Sequence, residues 1–379
     1  MPINVFVPKF RTQEILDEIR ICLDKGWTGL GFKTVEFEEK WKQYTGLKNA
    51  HFLSSNTAGL HLAINIFKNE YNWHDGDEII TTPLTFVSTN HVILYENLKP
   101  VFADVDEYLC LDPKSVEERI THRTRAVMFV GLGGNVGQYE KITEICKRHK
   151  LQLILDAAHM AGTKVNGKHV GQEADVCVFS FQAVKNLPTA DSGMICFKDD
   201  LLDKIARKQS WLGISKDTFK RYDNECKTYN WRYEVESLGF KYHGNSVIAA
   251  IGLVQLKYLE EDNNRRREIA SIYDECLKPM KDVNIIYVAP GSLSSRHLYQ
   301  ICVDKRDEIV QYFCENEIYP GVHYLDNILY RMYSYAEGTC PNARQKSNTL
   351  ISLPNHLCLS ENDVYKVTEV LNQAIKKYL

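Results

Sequence analysis

The sequence predicts an α/β fold in which a large, mixed and mostly parallel sheet is sandwiched by helices. Short apolar runs alternate with amphipathic segments through the first 250 residues, and this alternation is typical of strand–helix–strand units. A long helical pattern begins at Ser246. Because single cores stop growing near roughly 250–300 residues, we expect two domains. Residues 1–245, with an N-terminal helical segment, would form the larger one, and residues 246–379 a smaller α/β domain headed by the long helix.

Each predicted element follows from local periodicity. Strands are expected where mostly apolar residues stand together, at 50–54, 78–82, 99–104, 126–130, 151–156, 176–181, 194–198 and 297–303. Helices are expected where apolar residues recur at three-to-four spacing, at 57–69, 86–96, 141–149, 246–277, 307–315 and 361–376. Loops such as 216–229 show neither pattern. Since ligands of such sheets bind beyond the carboxyl ends of the strands, the residues after Ser54, Thr82, Asp156 and Phe181 should share one neighbourhood.

Composition narrows the class of protein. The 46 basic and 49 acidic residues give a net charge of −3 without a basic block, so neither nucleic acid nor an anionic membrane surface is an expected partner. No apolar stretch approaches the roughly 18 residues of a membrane span, and the first residues lack the pattern of a secretion signal. Eleven cysteines are scattered without a C-x-x-C pair, which favours reduced thiols over disulfides or a metal site. We therefore expect a cytoplasmic protein.

Two residues at predicted strand ends suggest a chemistry. Asp156 ends one apolar run, and Lys185 follows another about thirty residues later, between Ser180 and Gly193. A lysine in this place can form an imine with pyridoxal phosphate (PLP), and the carboxylate can keep the ring nitrogen of PLP protonated. Taken alone, a lysine is most often a solvated surface charge and an aspartate often caps the next helix. No partners with metal-ligand spacing accompany Asp156.

Three further segments have both a functional and a structural interpretation. The segment 54–62 joins a strand to a helix through hydroxyl and amide groups, so it can bind a phosphate or merely cap the helix. Phe86 can stack on a flat ring or belong to the core. The glycine-rich segment 131–137 misses the dinucleotide fingerprint because Val136 stands where the third glycine is needed. We expect a flexible loop there, on the rim of the ligand crevice.

Taken together, the motifs resemble the DegT/StrS family of PLP-dependent sugar aminotransferases. The resemblance runs along nearly the whole chain and is carried by segments in the same order: GWTG at 26–29, NTAGLHLA at 56–63, GDEII at 76–80, TFVST at 85–89, PVFADVD at 100–106, DAAH at 156–159, SF at 180–181 with KNL at 185–187, GFKY at 239–242, AAIG at 249–252 and GVHY at 321–324. It implies the fold-type I architecture of PLP transferases.

The resemblance also implies roles for individual residues. Lys185 would bind the cofactor covalently and act as the acid and base of the proton shift. Asp156 would pair with the pyridinium, His159 would lie near the 3-hydroxyl, and Phe86 would stack on the ring. The cofactor phosphate would be bound by Asn56, Thr57, Ala58 and Ser180, and, from the second subunit of a homodimer, by Lys241 or His243. The residues expected to contact substrate are Thr28, Arg296, His297, His323 and Tyr324, with Arg296 and His297 binding a phosphate or carboxylate or merely lying at a strand edge.

Several positions depart from the family pattern. Asn56-Thr57 replaces Gly-Thr, the segment 189–193 is altered, glycine replaces a histidine near 131, and 323–328 lacks the usual proline and second histidine.

The expected reaction is amino transfer from L-glutamate to a keto-sugar nucleotide, in surface-polysaccharide or related sugar biosynthesis. A small phosphorylated ketone such as dihydroxyacetone phosphate is the alternative acceptor. A sugar dehydratase would need a histidine at 185, and a non-enzymatic sensor would need a broken site or a DNA-binding appendage.

Overall fold

A computed structural model describes residues 2–214 and 233–379. The predicted loop at 216–229 lies outside the described residues. Within the described ranges, no helix is long and apolar enough to cross a lipid bilayer.

The strands of the described residues are, in chain order, β1 (Ile3–Asn4), β2 (His51–Leu53), β3 (Glu78–Thr81), β4 (Lys99–Phe102), β5 (Thr124–Val130), β6 (Gln152–Asp156), β7 (Lys164–Val165), β8 (Lys168–His169), β9 (Val176–Ser180), β10 (Gly193–Phe197), β11 (Asn284–Ile285), β12 (Ser292–Leu293), β13 (Tyr299–Cys302), β14 (Ile318–Tyr319) and β15 (Leu350–Leu353). The α-helices are α1 (Thr12–Asp24), α2 (Phe32–Thr45), α3 (Asn56–Glu70), α4 (Ser88–Tyr95), α5 (Pro113–Glu118), α6 (Tyr139–His149), α7 (Asp200–Gln209), α8 (Ser246–Leu277), α9 (Arg306–Glu315), α10 (Pro341–Thr349) and α11 (Glu361–Tyr378).

A seven-stranded sheet organises the first part of the chain. Its order is β2-β10-β9-β6-β5-β3-β4. Only β10 runs against its neighbours, while the pairs from β9 to β4 are parallel. The predicted mixed, mostly parallel sheet with helices on both faces is confirmed. The parallel strands are buried nearly throughout, as expected when helices cover both sides.

Aromatic packing holds α2 against this sheet. The ring of Trp41 meets the edges of Phe179 and Phe181 at centroid distances of 4.9 and 5.0 Å, and Phe37 packs on Phe52 at 5.1 Å. All five side chains are fully buried. Edge-to-face contacts of this kind add to the free energy gained by burying the rings.

The long helix α8 carries the chain from the large sheet to the C-terminal part. Its N-terminus is capped by Asn245, whose side chain accepts a hydrogen bond from the Ile248 N–H. A three-stranded antiparallel sheet, β11-β13-β15, lies in the C-terminal part, and its core is shared with α8, α9 and α11. The domain division at 245/246 stays a prediction.

The predicted elements appear with shifts of no more than two residues at either end. The predicted helix at 86–96 begins only at Ser88, because Phe86 and Val87 belong to the turn that leads into it. Likewise β13 begins at Tyr299, so Arg296 and His297 precede the strand instead of opening it. Helix α10 and strand β15 had no predicted counterpart.

Candidate active site

A cavity of about 450 Å³ lies at the carboxyl edge of the large sheet. The residues after β2, β3, β6 and β9 meet there, as the strand order predicts. Of the predicted site residues, the cavity is lined by Asn56, Thr57, Phe86, Asp156, His159, Ser180, Lys185, His297, His323 and Tyr324. It is also lined by residues to which no individual role was assigned, among them Phe6, Ser55, Thr85, Ser88, Thr89, Gln182 and Ser192.

Lys185 reaches the cavity from a tightly bonded turn after β9. Its backbone N–H donates to the Gln182 carbonyl at 2.8 Å, and the hydroxyl of Thr189 donates to the Phe181 carbonyl at 2.6 Å. Burial of the amine lowers the pKa of Lys185 to about 8, although the Asp156 carboxylate acts in the opposite direction. The amine can therefore lose and regain a proton near neutral pH, which a solvated lysine cannot.

Asp156 ends β6 with its carboxylate held by three donors. Oδ2 accepts from the Thr89 hydroxyl at 2.8 Å, and Oδ1 accepts from the Ala158 N–H at 3.2 Å and from Nδ2 of Asn56 at 3.3 Å. The residue is 4% exposed, and this burial raises the pKa of Asp156 against the effect of the hydrogen bonds and of Lys185. A buried carboxylate at a cavity wall gains from a cationic partner, such as a protonated ring nitrogen.

His159 has a single tautomer that its partners fix. The backbone N–H of Gly133 donates to Nδ1 at 3.1 Å, so Nδ1 carries the lone pair. Burial keeps the pKa of His159 well below its usual range, and the charges of Lys185 and His323 add to this shift. The neutral ring therefore carries its hydrogen on Nε2, which donates to the Tyr324 hydroxyl at 3.3 Å.

The glycine-rich segment 131–137 supports His159 from behind, which corrects the prediction of a flexible rim loop. Leu132, Gly133 and Gly134 form a buried 3-10 turn. Gly134 has φ +89°, and a Cβ at this position would lie 2.3 Å from the Ser295 hydroxyl. The turn thus needs glycine to pack closely.

In the loop from β2 into α3, part of the predicted phosphate site makes internal hydrogen bonds. The Ser55 hydroxyl accepts from the Ala58 N–H at 3.0 Å, so this amide caps the helix. The side chain of Asn56 donates to the Val178 carbonyl at 2.9 Å as well as to Asp156, and it therefore braces the carboxylate. Thr57 and Ser180 remain at the cavity wall, where Ser55 and Ser192 add hydroxyls.

Phe86 stands at the mouth of the cavity with 57% of its surface exposed. The centroid of its ring lies 5.9 Å from that of Tyr324. This position excludes the alternative of a core phenylalanine. Stacking of Phe86 on the cofactor stays a prediction.

Besides Ala58 and His243, three predicted residues do not line the cavity of their own chain. Thr28 is exposed, and its carbonyl accepts from the Ser246 N–H at the start of α8. Lys241 is exposed, with its ammonium 3.4 Å above the ring of Trp211. The guanidinium of Arg296 lies 3.6 Å from Asp274 and over the ring of Tyr299, so Arg296 is engaged away from the cavity.

Comparison with known proteins agrees with this site. The DegT/DnrJ/EryC1/StrS aminotransferase family matches residues 10–372. The spore coat polysaccharide biosynthesis protein SpsC of Bacillus subtilis is 34% identical, over 96% of this chain and 95% of that protein. The dTDP-4-dehydro-2,3,6-trideoxy-D-glucose 4-aminotransferase of Saccharopolyspora spinosa is 32% identical, over 100% of this chain and 98% of that enzyme.

Solved aminotransferases share the fold, with TM-scores between 0.85 and 0.92. Spr1654 of Streptococcus pneumoniae, solved in a PLP form and a pyridoxamine phosphate (PMP) form, has a TM-score of 0.90 in both and is 26% identical. The match to the PLP form covers 100% of both chains, and the match to the PMP form covers 99% of both.

Fold and site thus define a PLP-dependent aminotransferase of fold type I. The chain belongs to the DegT/DnrJ/EryC1/StrS family, whose relatives include sugar aminotransferases, and it is an enzyme of polysaccharide or sugar biosynthesis.

The residues present fit PLP. An amine of lowered pKa and a buried carboxylate face one cavity, and hydroxyls stand at the N-terminus of α3, where a helix dipole favours a phosphate. The chemistry of this donor set is the one that PLP requires.

Proposed function

We propose that the enzyme transfers an amino group from L-glutamate to a keto-sugar linked to a nucleoside diphosphate. The observation that carries this proposal is the joint presence of the Lys185 amine and the Asp156 carboxylate in one cavity, in a chain of a sugar-aminotransferase family. The relative from Saccharopolyspora spinosa, named for a dTDP-linked keto-sugar, supports the choice of acceptor.

When bound, PLP supplies an electron sink for the carbanion that forms at the amino-bearing carbon. Asp156 would keep the ring nitrogen protonated, since its buried charge is held by Thr89, Asn56 and the Ala158 amide. Lys185 would release and accept the proton at Nζ, because its lowered pKa leaves part of the amine neutral near pH 7. Thr57, Ser55 and Ser180 would hold the phosphate.

The alternative acceptor, a small phosphorylated ketone, was suggested by the departures at 325–328. This argument for the ketone is weakened because residues 325–328 do not line the cavity. Asn327 is fully buried, where its Nδ2 donates to the Thr85 carbonyl at 2.8 Å and its Oδ1 accepts from Asn90 at 2.9 Å. Of the segment 323–328, only His323 and Tyr324 line the cavity. The lost proline and histidine therefore need not change the acceptor that the cavity takes.

A screen with purified enzyme, PLP and L-glutamate tests the proposal. Keto-sugar nucleotides and small phosphorylated ketones are offered separately, and 2-oxoglutarate and the aminated product are measured by mass spectrometry. We expect amination of at least one keto-sugar nucleotide by the native enzyme and none by Lys185→Ala. Amination of small phosphorylated ketones alone would refute the proposed acceptor.

We further propose that the active enzyme is a homodimer with the active site at the subunit interface. The exposed ring of Phe86 at the cavity mouth supports this, as does the exposed ammonium of Lys241. Of the two residues expected to reach the partner's phosphate, Lys241 fits better than His243. Nδ1 of His243 lies 2.7 Å from the Gly244 carbonyl, and Nε2 is enclosed.

A further inference from the structure

A buried chain of hydrogen bonds runs behind Lys185 and ends at the cavity. The side chain of Asn186 donates through Nδ2 to the Ser295 carbonyl at 2.8 Å and to Oδ1 of Asn263 at 2.6 Å. Its Oδ1 lies 2.8 Å from Nδ1 of His297. Asn186 and His297 are 2% and 3% exposed, and Asn263 is fully buried.

The direction of each bond in this chain is determined by chemistry. A backbone carbonyl only accepts, so the Ser295 carbonyl identifies which end of the Asn186 amide carries hydrogens. The Ala161 carbonyl, 2.9 Å from Nδ2 of Asn263, orients the second amide in the same way. Oδ1 of Asn186 is consequently an acceptor, and Nδ1 of His297 must carry the hydrogen between them.

The surroundings of His297 favour the neutral ring. The imidazole stacks on Phe6 at a centroid distance of 5.5 Å and lies 4.2 Å from the ring of His159. Burial lowers the pKa of His297 well below its usual range, and His159, Lys185, Arg266 and His323 act in the same direction. A neutral ring with hydrogen on Nδ1 has its lone pair on Nε2, which has no hydrogen-bond partner within residues 2–214 and 233–379.

We infer that Asn186 is a positioning residue that holds His297 as a hydrogen-bond acceptor at the cavity wall, and that Nε2 of His297 accepts a hydrogen bond from a hydroxyl of the sugar acceptor. His297 lines the cavity. The inference rests on the proposed function, because L-glutamate has no hydroxyl to donate. It also revises the expectation that His297 binds a phosphate or carboxylate, since a lone pair disfavours an anion.

The tautomer is tested directly by nitrogen-15 NMR of the holoenzyme with labelled histidine. His297→Asn identifies the signal by its loss. We expect a neutral ring with the hydrogen on Nδ1 at neutral pH, and exchange between tautomers in Asn186→Ala. Asn263→Ala is the matched control. It removes a buried side-chain amide from the same series of hydrogen bonds, while the Ser295 carbonyl still orients Asn186. A hydrogen on Nε2, or an imidazolium, in the native enzyme would overturn the inference.

The role toward substrate is tested by measuring the two half-reactions separately. Asn at 297 can still donate to Asn186 but has no atom at the place of Nε2, whereas Gln brings an amide oxygen close to that place. We expect His297→Asn to raise the KM for the keto-sugar about tenfold, the effect of one lost hydrogen bond, with the glutamate half-reaction nearly unchanged. His297→Gln should recover most of this loss.

Asn186→Ala should raise the same KM, and Asn263→Ala, with a similar loss of thermal stability, should not. Equal losses in both half-reactions, or a Gln variant as impaired as the Asn variant, would show a structural role only. A native enzyme that aminates no keto-sugar would refute the proposed function, while the NMR measurement still decides the tautomer. Native activity on sugars with an unchanged KM in His297→Asn would refute the assignment of His297 alone.

Discussion

At the scale of single residues, the lowered pKa of Lys185 has a measurable consequence. Only a neutral amine can attack PLP, so the rate of covalent PLP incorporation into apoenzyme should rise with pH, with a midpoint near pH 8. With an ordinary lysine, the midpoint would lie at roughly pH 10.4. Borohydride reduction at successive times, followed by mass spectrometry, measures this rate, and Lys185→Ala is the blank.

The Asp156 carboxylate provides the control on the cause of this shift. It raises the pKa of Lys185 against the effect of burial, so Asp156→Asn should move the midpoint below that of the native enzyme. A midpoint near roughly 10 in the native enzyme would contradict burial of the amine, and an upward shift in Asp156→Asn would contradict the proximity of the two groups.

The sequence predicted the site residues that occupy strand ends and could not predict those that depend on tertiary contacts. Lys185 and Asp156 follow apolar runs, so strand order alone brings them together. Thr89 contacts Asp156 from helix α4, and Asn186 acquires its partners only when 263 and 295 pack against it. For the segment 54–62, helix capping was one of the two interpretations, and the Ala58 N–H is indeed capped by the Ser55 hydroxyl.

At the scale of elements, α8 depends on a close approach to α2. A Cβ on Gly252 would lie 2.7 Å from two ring atoms of Phe37, which is fully buried. Alanine favours a helix by about 1 kcal/mol over glycine, but overpacking a core typically costs about 1–3 kcal/mol. Because the ring has no exposed side toward which to move, we expect Gly252→Ala to destabilise the enzyme by about 1 kcal/mol or more in chemical denaturation.

Phe37→Leu tests whether the ring is the cause. In the double variant the smaller side chain should make room for the new methyl group, so the combined loss should be smaller than the sum of the two single losses. If the stability loss of the double variant equalled the sum of the two single losses, this account of the α2–α8 contact would be contradicted. A Gly252→Ala enzyme more stable than the native one would contradict it as well.

The long periodic pattern of α8 was predicted, whereas α7, which has an amphipathic sequence, and the more polar α10 were not. The pattern at 246–277 coincides with α8, and the strands of the large sheet lie within two residues of their predicted bounds. Helix α10 contains mostly polar residues, PNARQKSNT, and only Ala343 and Ser347 are buried. Two buried positions are too few to form a recognisable apolar stripe in the sequence. Packing against the rest of the protein, rather than a local pattern, stabilises this helix.

At the scale of the whole molecule, the proposed homodimer would complete each active site with Lys241 of the second subunit. The ammonium is exposed over Trp211 and does not line the cavity of its own chain. Lys185→Ala and Lys241→Ala should each be nearly inactive alone, the first through loss of the amine and the second through weak phosphate binding. Because the two residues of one site would come from different subunits, a mixed dimer of these variants would contain one site with both lysines.

Subunit exchange between the two variants should therefore restore activity, up to about one quarter of the native level if subunits mix at random, since half of the dimers are mixed and each holds one intact site. Native mass spectrometry before and after mixing gives the fraction of mixed dimers, against which the recovered rate is compared. The control mixture of Lys185→Ala with Asp156→Asn should recover nothing, because both residues line the cavity of one chain. Mixed dimers without recovered activity would place Lys241 outside the partner's site, and a monomeric active enzyme would refute the shared site itself.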